Sequence, residues 1–200
     1  MSRPRPSSPW RTMALQAGFN RKGMQRSGVW FALIPWLSRR NPEERRAWLV
    51  RERAVFNTNP YLAPVLLGSR CRIEEDHSPE LAERVDATLQ RSFGSLGDAL
   101  TWRAARPVWF LVCAIAGFAF GPAAVLVAWL LFAVAVAVVH RQGLEWGYRL
   151  GLEVVDHLDA ARLHALARAG RRSAAVLAGA VGTGVVVLAL ISGAERTAVF

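Results

Sequence analysis

The longest apolar stretch of the chain covers residues 108–139, all 32 of which lack a charged side chain. A bilayer's hydrocarbon layer takes roughly 20 apolar residues per helical span, whereas a core helix of a soluble protein needs no such length. A second uncharged stretch of 22 residues, 173–194, is typical of a plain transmembrane helix. The pattern therefore predicts an all-α membrane protein with one C-terminal transmembrane helix.

Gly121 and Pro122 interrupt the longer stretch. Proline removes a backbone donor and clashes with the preceding turn, so we expect a kink or a chain reversal there. Residues 108–120 and 123–139 are each short for a span on their own. Two geometries stay open: one long kinked span, or a broken, re-entrant hydrophobic hairpin packed against other protein.

Arginines on the flanks of the apolar stretches indicate the topology. Four arginines precede the C-terminal helix, and only Arg196, next to an acid, follows it. Because cytoplasmic flanks carry an excess of basic residues, we expect a cytoplasmic N-terminus and a C-terminus outside. The central stretch has arginines on both flanks, at Arg103 and Arg106 and again at Arg141 and Arg149. This arrangement favours the hairpin or re-entrant geometry over a single crossing.

Shorter elements precede and follow the central stretch. Residues 10–26 are predicted to form an amphipathic helix, and residues 28–37 an interfacial or partly inserted helix bent before Pro35. Asn41 and Ser78 each begin a capped helix, the first expected to reach about residue 56. Residues 92–97 are predicted to be a glycine-containing break, and the residues from Gly151 to Ala169 an exposed amphipathic helix.

These elements divide the chain into five segments. They are a flexible N-terminus (1–12), an amphipathic and interfacial helical region (13–107), a broken or re-entrant hydrophobic segment (108–139), a cytoplasmic amphipathic helix (140–172) and the transmembrane helix (173–194).

Composition excludes several classes of function. The net charge is +10, but the basic residues lie beside hydrophobic stretches and form no nucleic-acid motif, so membrane orientation explains them better than nucleic-acid binding. Cys71 and Cys113 are far apart and imply neither a disulfide framework nor a metal site. The chain also has no phosphate-cradling loop and no triad spacing. We therefore predict no catalytic residue, no metal and no cofactor.

Five ordered blocks carry a resemblance to a known family. The first lies within residues 15–35, and another is Gly68 with Glu74-Glu75 at the family's spacing. Residues 56–63, FNTNPYLA, are similar to FNTHPYLA; residues 96–102, LGDALTW, followed by Arg106-Pro107, are similar to GDSLFW…RP; residues 143–151 are similar to GL..GYKLG. The chain thus resembles the IID membrane subunit of mannose/fructose/sorbose-type sugar phosphotransferase systems, as a diverged, shortened member. Asn59 stands where histidine is usual, residues 91–95 replace GPLAG, and Arg70 and Arg72 lie in a usually apolar stretch.

The resemblance implies a function and a set of partners. A IID subunit forms the translocation path with a IIC subunit in the bacterial cytoplasmic (inner) membrane, and uptake of a hexose is coupled to phosphorylation by IIAB phosphocarrier proteins. Because the phosphorylated histidines belong to those soluble partners, no phosphorylated residue is expected in this chain. A hetero-oligomer in the lipid bilayer follows from the same resemblance. The alternative is a diverged IID-like scaffold or regulatory partner without transport activity.

Polar side chains near the apolar stretches are the candidate sugar ligands. Polar groups at membrane depth tend to be functional, and a sugar needs amides and carboxylates that bond to its hydroxyls. The candidates are Asn57, Thr58 and Asn59, followed by Glu74, Glu75, Asp98 and Arg106. For Asp98 and Arg106, a structural ion pair or a helix cap is an equally good explanation. Tyr61 and Trp102 fit interfacial anchors better than sugar-stacking residues.

Overall fold

The computed structural model describes residues 7–52, 55–157 and 160–197, and most of them are helical. The main helices are α1 (Pro9–Met13), α2 (Arg26–Leu37), α3 (Pro42–Arg51), α4 (Ala63–Asp76), α5 (Pro79–Leu100), α6 (Arg106–Phe120), α7 (Pro122–Leu150), α8 (Val154–His157) and α9 (Ala160–Thr197). The described part of the chain contains isolated β-bridges and no strand of a sheet. The predicted all-α class is confirmed.

The predicted amphipathic helix over residues 10–26 is wrong for most of its length. Helix α1 ends at Met13 and a 3₁₀ turn ends at Gln16, after which the chain forms turns up to α2. The cause is local, because the Asn20 side chain accepts hydrogen bonds from the backbone N–H groups of Lys22 (3.1 Å) and Gly23 (2.8 Å). An asparagine that bonds nearby backbone in this way competes with helix formation.

Both predicted helix caps are confirmed. Asn41 Oδ1 accepts from the backbone N–H of Glu44 at 2.8 Å, and Ser78 Oγ accepts from that of Leu81 at 3.3 Å. Helix α3 nevertheless ends at Arg51, so its predicted extension to residue 56 is wrong at residues 55 and 56, which are not helical. The predicted break at residues 92–97 is also wrong, because α5 continues to Leu100.

The chain folds into two compact units. The first unit contains the described residues up to Asp98 together with Phe132–Ala160, and the second contains Ala99–Leu131 and the described residues from Ala161 onward. The core of the first unit consists of buried side chains from α2, α3, α4, α5, α7, α8 and the connecting segments. Among them are Leu33, Trp36, Phe56, Leu66, Leu67, Phe93 and Leu144.

Helices α4 and α7 approach so closely in the first unit that their backbones touch. A Cβ on Gly68 would lie 2.2 Å from the carbonyl oxygen of Leu144, and a Cβ on Gly147 would lie 2.0 Å from that of Val65. Only glycine fits at such a crossing. One turn further on, Ser69 Oγ donates to the carbonyl of Gly151 at 2.8 Å. The glycines of the 143–151 block therefore serve to seat α7 against α4.

Gly151 also interrupts the segment of residues 140–172, which the sequence predicts as one amphipathic helix. Its φ is +53°, and a 3₁₀ turn over Gly151–Glu153 separates α7 from α8. A positive φ is unstrained for glycine and costly for other residues, so the helix ends there. The single continuous helix predicted across this position is wrong.

In the second unit, the chain reverses at Gly121, where the sequence left a kink and a reversal both open. Gly121 has φ +79° and separates α6 from α7. The two helices pack side by side after the reversal, because Phe110 and Trp129 form an edge-to-face pair with ring centroids 6.2 Å apart. A π-helical turn, Thr101–Ala105, connects α5 to α6, and Gly170 of α9 packs against Ala104 in this turn.

Among residues 7–52, 55–157 and 160–197, two helical stretches are long and apolar enough to cross a membrane, Pro79–Phe120 and Pro122–His157. Their large apolar side chains are largely exposed, with Phe118 at 76% and Phe120 at 79%. Exposed apolar surface of this kind is unfavourable in water and is expected against lipid or a partner. The predicted helix at 173–194 lies within α9, but the side chains of residues 184–197 lie outside the described part.

Candidate functional site

The candidate residues Asn57, Thr58 and Asn59 lie in a non-helical loop between α3 and α4. Phe56 begins this loop with a fully buried ring, and its carbonyl accepts a hydrogen bond from the backbone N–H of Gln25 at 2.9 Å. Pro60 holds the preceding residue outside the helical region. The local sequence thus places a non-helical loop between α3 and α4. The backbone N–H and C=O groups of this loop need hydrogen-bond partners outside it.

Gln25 supplies partners for Thr58. Its side-chain Nε2 donates to the carbonyl of Thr58 at 2.8 Å, and its Oε1 accepts from the backbone N–H of the same residue at 3.2 Å. Gln25 is itself buried. The Gln25 side chain therefore satisfies both backbone groups of Thr58, as a neighbouring β-strand would, and holds the centre of the loop in place.

The backbone of Asn57 is held by a hydrogen bond, whereas its side chain is exposed. Its N–H donates to Gln90 Oε1 at 3.1 Å, and the residue is exposed. Within the described residues the Asn57 side-chain amide has no hydrogen-bond partner. This amide is therefore available to a ligand.

Asn59 is almost fully buried and is used within the fold. Its Nδ2 donates to Asp98 Oδ1 at 2.9 Å, and its Oδ1 accepts from the backbone N–H of Tyr61 at 3.1 Å. A Cβ on Gly97 would lie 2.3 Å from the Cβ of Asn59. The Gly97-Asp98 pair thus provides both the space and the acceptor that Asn59 requires. Two of the sequence blocks meet at this contact.

Thr58 carries a buried hydroxyl beside these amides. Its Oγ1 has no hydrogen-bond partner in the part of the chain that the structure describes. An unpaired buried hydroxyl is costly. The Thr58 hydroxyl and the Asn57 side-chain amide are thus two polar groups of the loop without a hydrogen-bond partner among the described residues.

Glu74 and Glu75 lie on α4 and contact other side chains. Glu74 forms an ion pair with Arg51 at 2.8 Å. Glu75 accepts from Trp36 Nε1 at 2.8 Å and from the Tyr148 hydroxyl at 2.5 Å, and it pairs with Arg40 at 3.3 Å. These contacts connect α4 to α2, α3 and α7, so both carboxylates have a clear structural role.

Arg106 belongs to the second unit and Asp98 to the first. The guanidinium of Arg106 stacks over Trp102, 4.5 Å from the ring centroid, and over Phe110 at 5.6 Å. Cations over aromatic faces gain roughly 0.5–2 kcal/mol. The ion pair between Asp98 and Arg106 stays a prediction, and the contact that the structure gives Asp98 is with Asn59.

The structure contains a buried cluster of charged side chains that was not predicted from the sequence. Arg70 pairs with Glu52 and, at 3.2 Å, with Asp86, and all three side chains are buried. Burial lowers the pKa of the Arg70 guanidinium, but Asp86 and Glu52 raise it above its ordinary value. The one signal in the sequence was that Arg70 lies in a stretch that is usually apolar in the family. Its partners, 18 residues before it and 16 after it, have no local spacing that would reveal them.

Helical composition and two long apolar helical stretches among the described residues are consistent with an α-helical membrane protein. The model of the PTS system mannose/fructose/sorbose family IID component matches residues 4–195. The chain belongs to this family, as the resemblance of its sequence blocks implied.

Similar proteins are known in sequence and in structure. The mannose-specific EIID component of the PTS system from Escherichia coli K12 is 26% identical over 168 residues, which cover 78% of this chain and 58% of that protein. The protein of the same description from Escherichia coli O157:H7 matches equally. The chain therefore spans little more than half the length of these relatives.

Two solved structures share the fold. One is described as the structure of a membrane protein, with a TM-score of 0.77, 22% identity and coverage of 86% of this chain and 67% of the other. The second is a cryo-EM structure of the mannose transporter ManYZ in complex with microcin E492, with a TM-score of 0.66, 23% identity and coverage of 86% and 66%. At these identities the likeness concerns the fold.

Proposed function

We propose that the chain acts as the IID subunit of a mannose-type phosphotransferase transporter. In this role it forms the translocation path with a IIC subunit and takes up a hexose that IIAB proteins phosphorylate. The single observation that carries the proposal is the family match across residues 4–195. The absence of a nucleophile motif in the sequence fits a subunit that leaves the phosphate chemistry to its soluble partners.

The proposed location is the bacterial inner membrane, with a cytoplasmic N-terminus and the C-terminus outside. The distribution of arginines supports this orientation. The reversal at Gly121 and the contact between Phe110 and Trp129 support a hairpin whose two ends lie on the same side. The helix at 173–194 would then cross the membrane once.

The loop at residues 57–59 is the proposed sugar contact. Asn57 presents an exposed amide and Thr58 an unpaired hydroxyl, and both can bond to sugar hydroxyls. Asn59 and Asp98 act in this proposal by holding the loop in place. Glu74, Glu75 and Arg106 remain candidates of second rank, because each already has a charged or aromatic partner.

Deleting the gene in its native host and measuring uptake of labelled hexoses tests the proposal. We expect uptake and phosphorylation of at least one hexose to fall, and a plasmid copy of the chain to restore both. Unchanged uptake and phosphorylation of every hexose tested would overturn the transporter assignment.

The second candidate is a IID-like scaffold without transport. The observation that favours it is Asn59, which stands where histidine is usual and whose amide is bound within the fold. Co-purification distinguishes the two functions. A chain that binds a IIC subunit in membranes while its deletion leaves uptake unchanged is a scaffold.

A further inference from the structure

The buried charge cluster of Glu52, Arg70 and Asp86 requires an explanation beyond stability. The three residues are 5%, 7% and 8% exposed. Apolar residues in place of a buried ion triad are often as stable or more stable, because desolvation offsets the attraction between the charges. Arg70 Nε and Asp86 Oδ1 also have no hydrogen-bond partner within the described ranges. A cluster that leaves polar atoms unpaired is a poor device for stability alone.

Gln90 connects this cluster to the loop. Its Nε2 donates to Asp86 Oδ2 at 2.8 Å, and its Oε1 accepts from the backbone N–H of Asn57 at 3.1 Å. Asp86 and Gln90 lie one turn apart on α5. A continuous series of polar contacts therefore runs from Glu52 through Arg70, Asp86 and Gln90 to Asn57.

Asp86 and the Asn57 N–H require the same orientation of the Gln90 amide. An ionised carboxylate only accepts hydrogen bonds, so Gln90 must present its NH₂ group to Asp86. The carbonyl end is then directed to the Asn57 N–H, which can only donate. With the amide reversed, two donors would face each other at Asn57. Burial raises the pKa of Asp86, and the guanidinium of Arg70, 3.2 Å away, opposes this shift and favours the ionised carboxylate.

We propose that Glu52, Arg70, Asp86 and Gln90 form a positioning network, which fixes the backbone at Asn57 so that its side-chain amide is presented to the transported sugar. The proposal rests on the proposed function for its final step. The charges of the network act at a distance from the sugar, through the orientation of one amide. This role also accounts for an arginine at position 70, in a stretch that is usually apolar in the family.

Gln90→Ala tests the link without leaving a buried charge unpaired. Loss of one backbone hydrogen bond is expected to raise the KM for sugar uptake about 3- to 10-fold, with the maximal rate nearly unchanged. Thr88→Ala, at an exposed position of the same helix, is the matched control and is expected to leave KM as it is. A Gln90→Ala chain whose maximal rate falls while KM does not would overturn the proposal.

An all-apolar variant, Glu52→Met/Arg70→Met/Asp86→Leu, tests the charges themselves. We expect it to fold, because no unpaired charge is left, and to show the same rise in KM as Gln90→Ala. If it transports with the KM of the unaltered chain, the cluster has no positioning role.

Hydrogen exchange at the Asn57 amide, measured on the detergent-solubilised full chain, separates this proposal from the proposed function. We expect faster exchange in Gln90→Ala and in the all-apolar variant, and unchanged exchange in Thr88→Ala. Such a result in a chain that does not transport would support the network and refute the transporter assignment. Equal exchange rates in all four chains would refute the network whatever the transport result.

Discussion

The side-chain amide of Asn59 donates to the carboxylate of Asp98 across 2.9 Å, although 39 residues separate the two in sequence. Gly97 makes this approach possible, because any Cβ there would overlap Asn59. The bond joins the loop after α3 to the end of α5. The loop conformation and the helix end therefore depend on each other, and this dependence can be tested.

Gly97→Ala is expected to destabilise the fold by roughly 1–3 kcal/mol, because the new methyl group would lie 2.3 Å from the Cβ of Asn59. Thermal unfolding of the detergent-purified chain measures the effect. Gly94→Ala is the control, since the nearest atom to its Cβ is Thr58 Cα at 3.9 Å and alanine favours helix. Equal melting temperatures for the two variants would contradict the close packing at Gly97.

Asn59→Asp is expected to lower stability by roughly 2 kcal/mol, because it replaces a hydrogen bond to a charged group with two facing carboxylates. The double variant Asn59→Asp/Asp98→Asn restores one donor and one acceptor with their places exchanged. We expect it to recover most of the loss in thermal unfolding. A double variant as unstable as Asn59→Asp would show that this bond does not hold the loop.

Asn57→Ala is expected to leave the melting temperature unchanged, because the side chain is exposed and has no partner among the residues described. The KM for sugar uptake should rise about tenfold, as expected for the loss of a ligand hydrogen bond worth about 1.4 kcal/mol. Transport kinetics and thermal unfolding of the same preparation check both parts. An unaltered KM would place the sugar contact outside this loop.

The hairpin proposed around Gly121 predicts that Arg103 and Gln142 lie on the same side of the membrane. Single cysteines introduced at these exposed positions, in a chain without Cys71 and Cys113, can be labelled in intact cells with a membrane-impermeant thiol reagent. We expect the two positions to react alike, and both to react after the cells are opened. Labelling of only one of them in intact cells would indicate a single crossing.

Features that depend on neighbours in sequence were predictable. The caps at Asn41 and Ser78 and the interruption of the helix at Gly121 follow from the residue itself and the few that come next. The apolar stretches gave the helical membrane class for the same reason, since their length is a local property.

Features that depend on distant neighbours were not predictable. Gly97 was read as part of a helix break, whereas it lies inside α5 to admit Asn59. The sequence predicted a turn between helices at residues 57–59, but it could not show that Asn59 is bound to Asp98 while the Asn57 side chain is exposed. The partners of Arg70 were equally hidden, because ion pairing across three elements has no signature along the chain.

The contact between α4 and α7 has a mechanical consequence. At Gly68 and Gly147 the α-carbon of one helix lies against a backbone carbonyl of the other. No flexible side chain lies between them that could rearrange to accommodate a movement. Sliding one helix past the other would force main-chain atoms to overlap, so the pair should move as a rigid block. If residues 143–151 were displaced, the start of α4 and the loop that precedes it would therefore move with them.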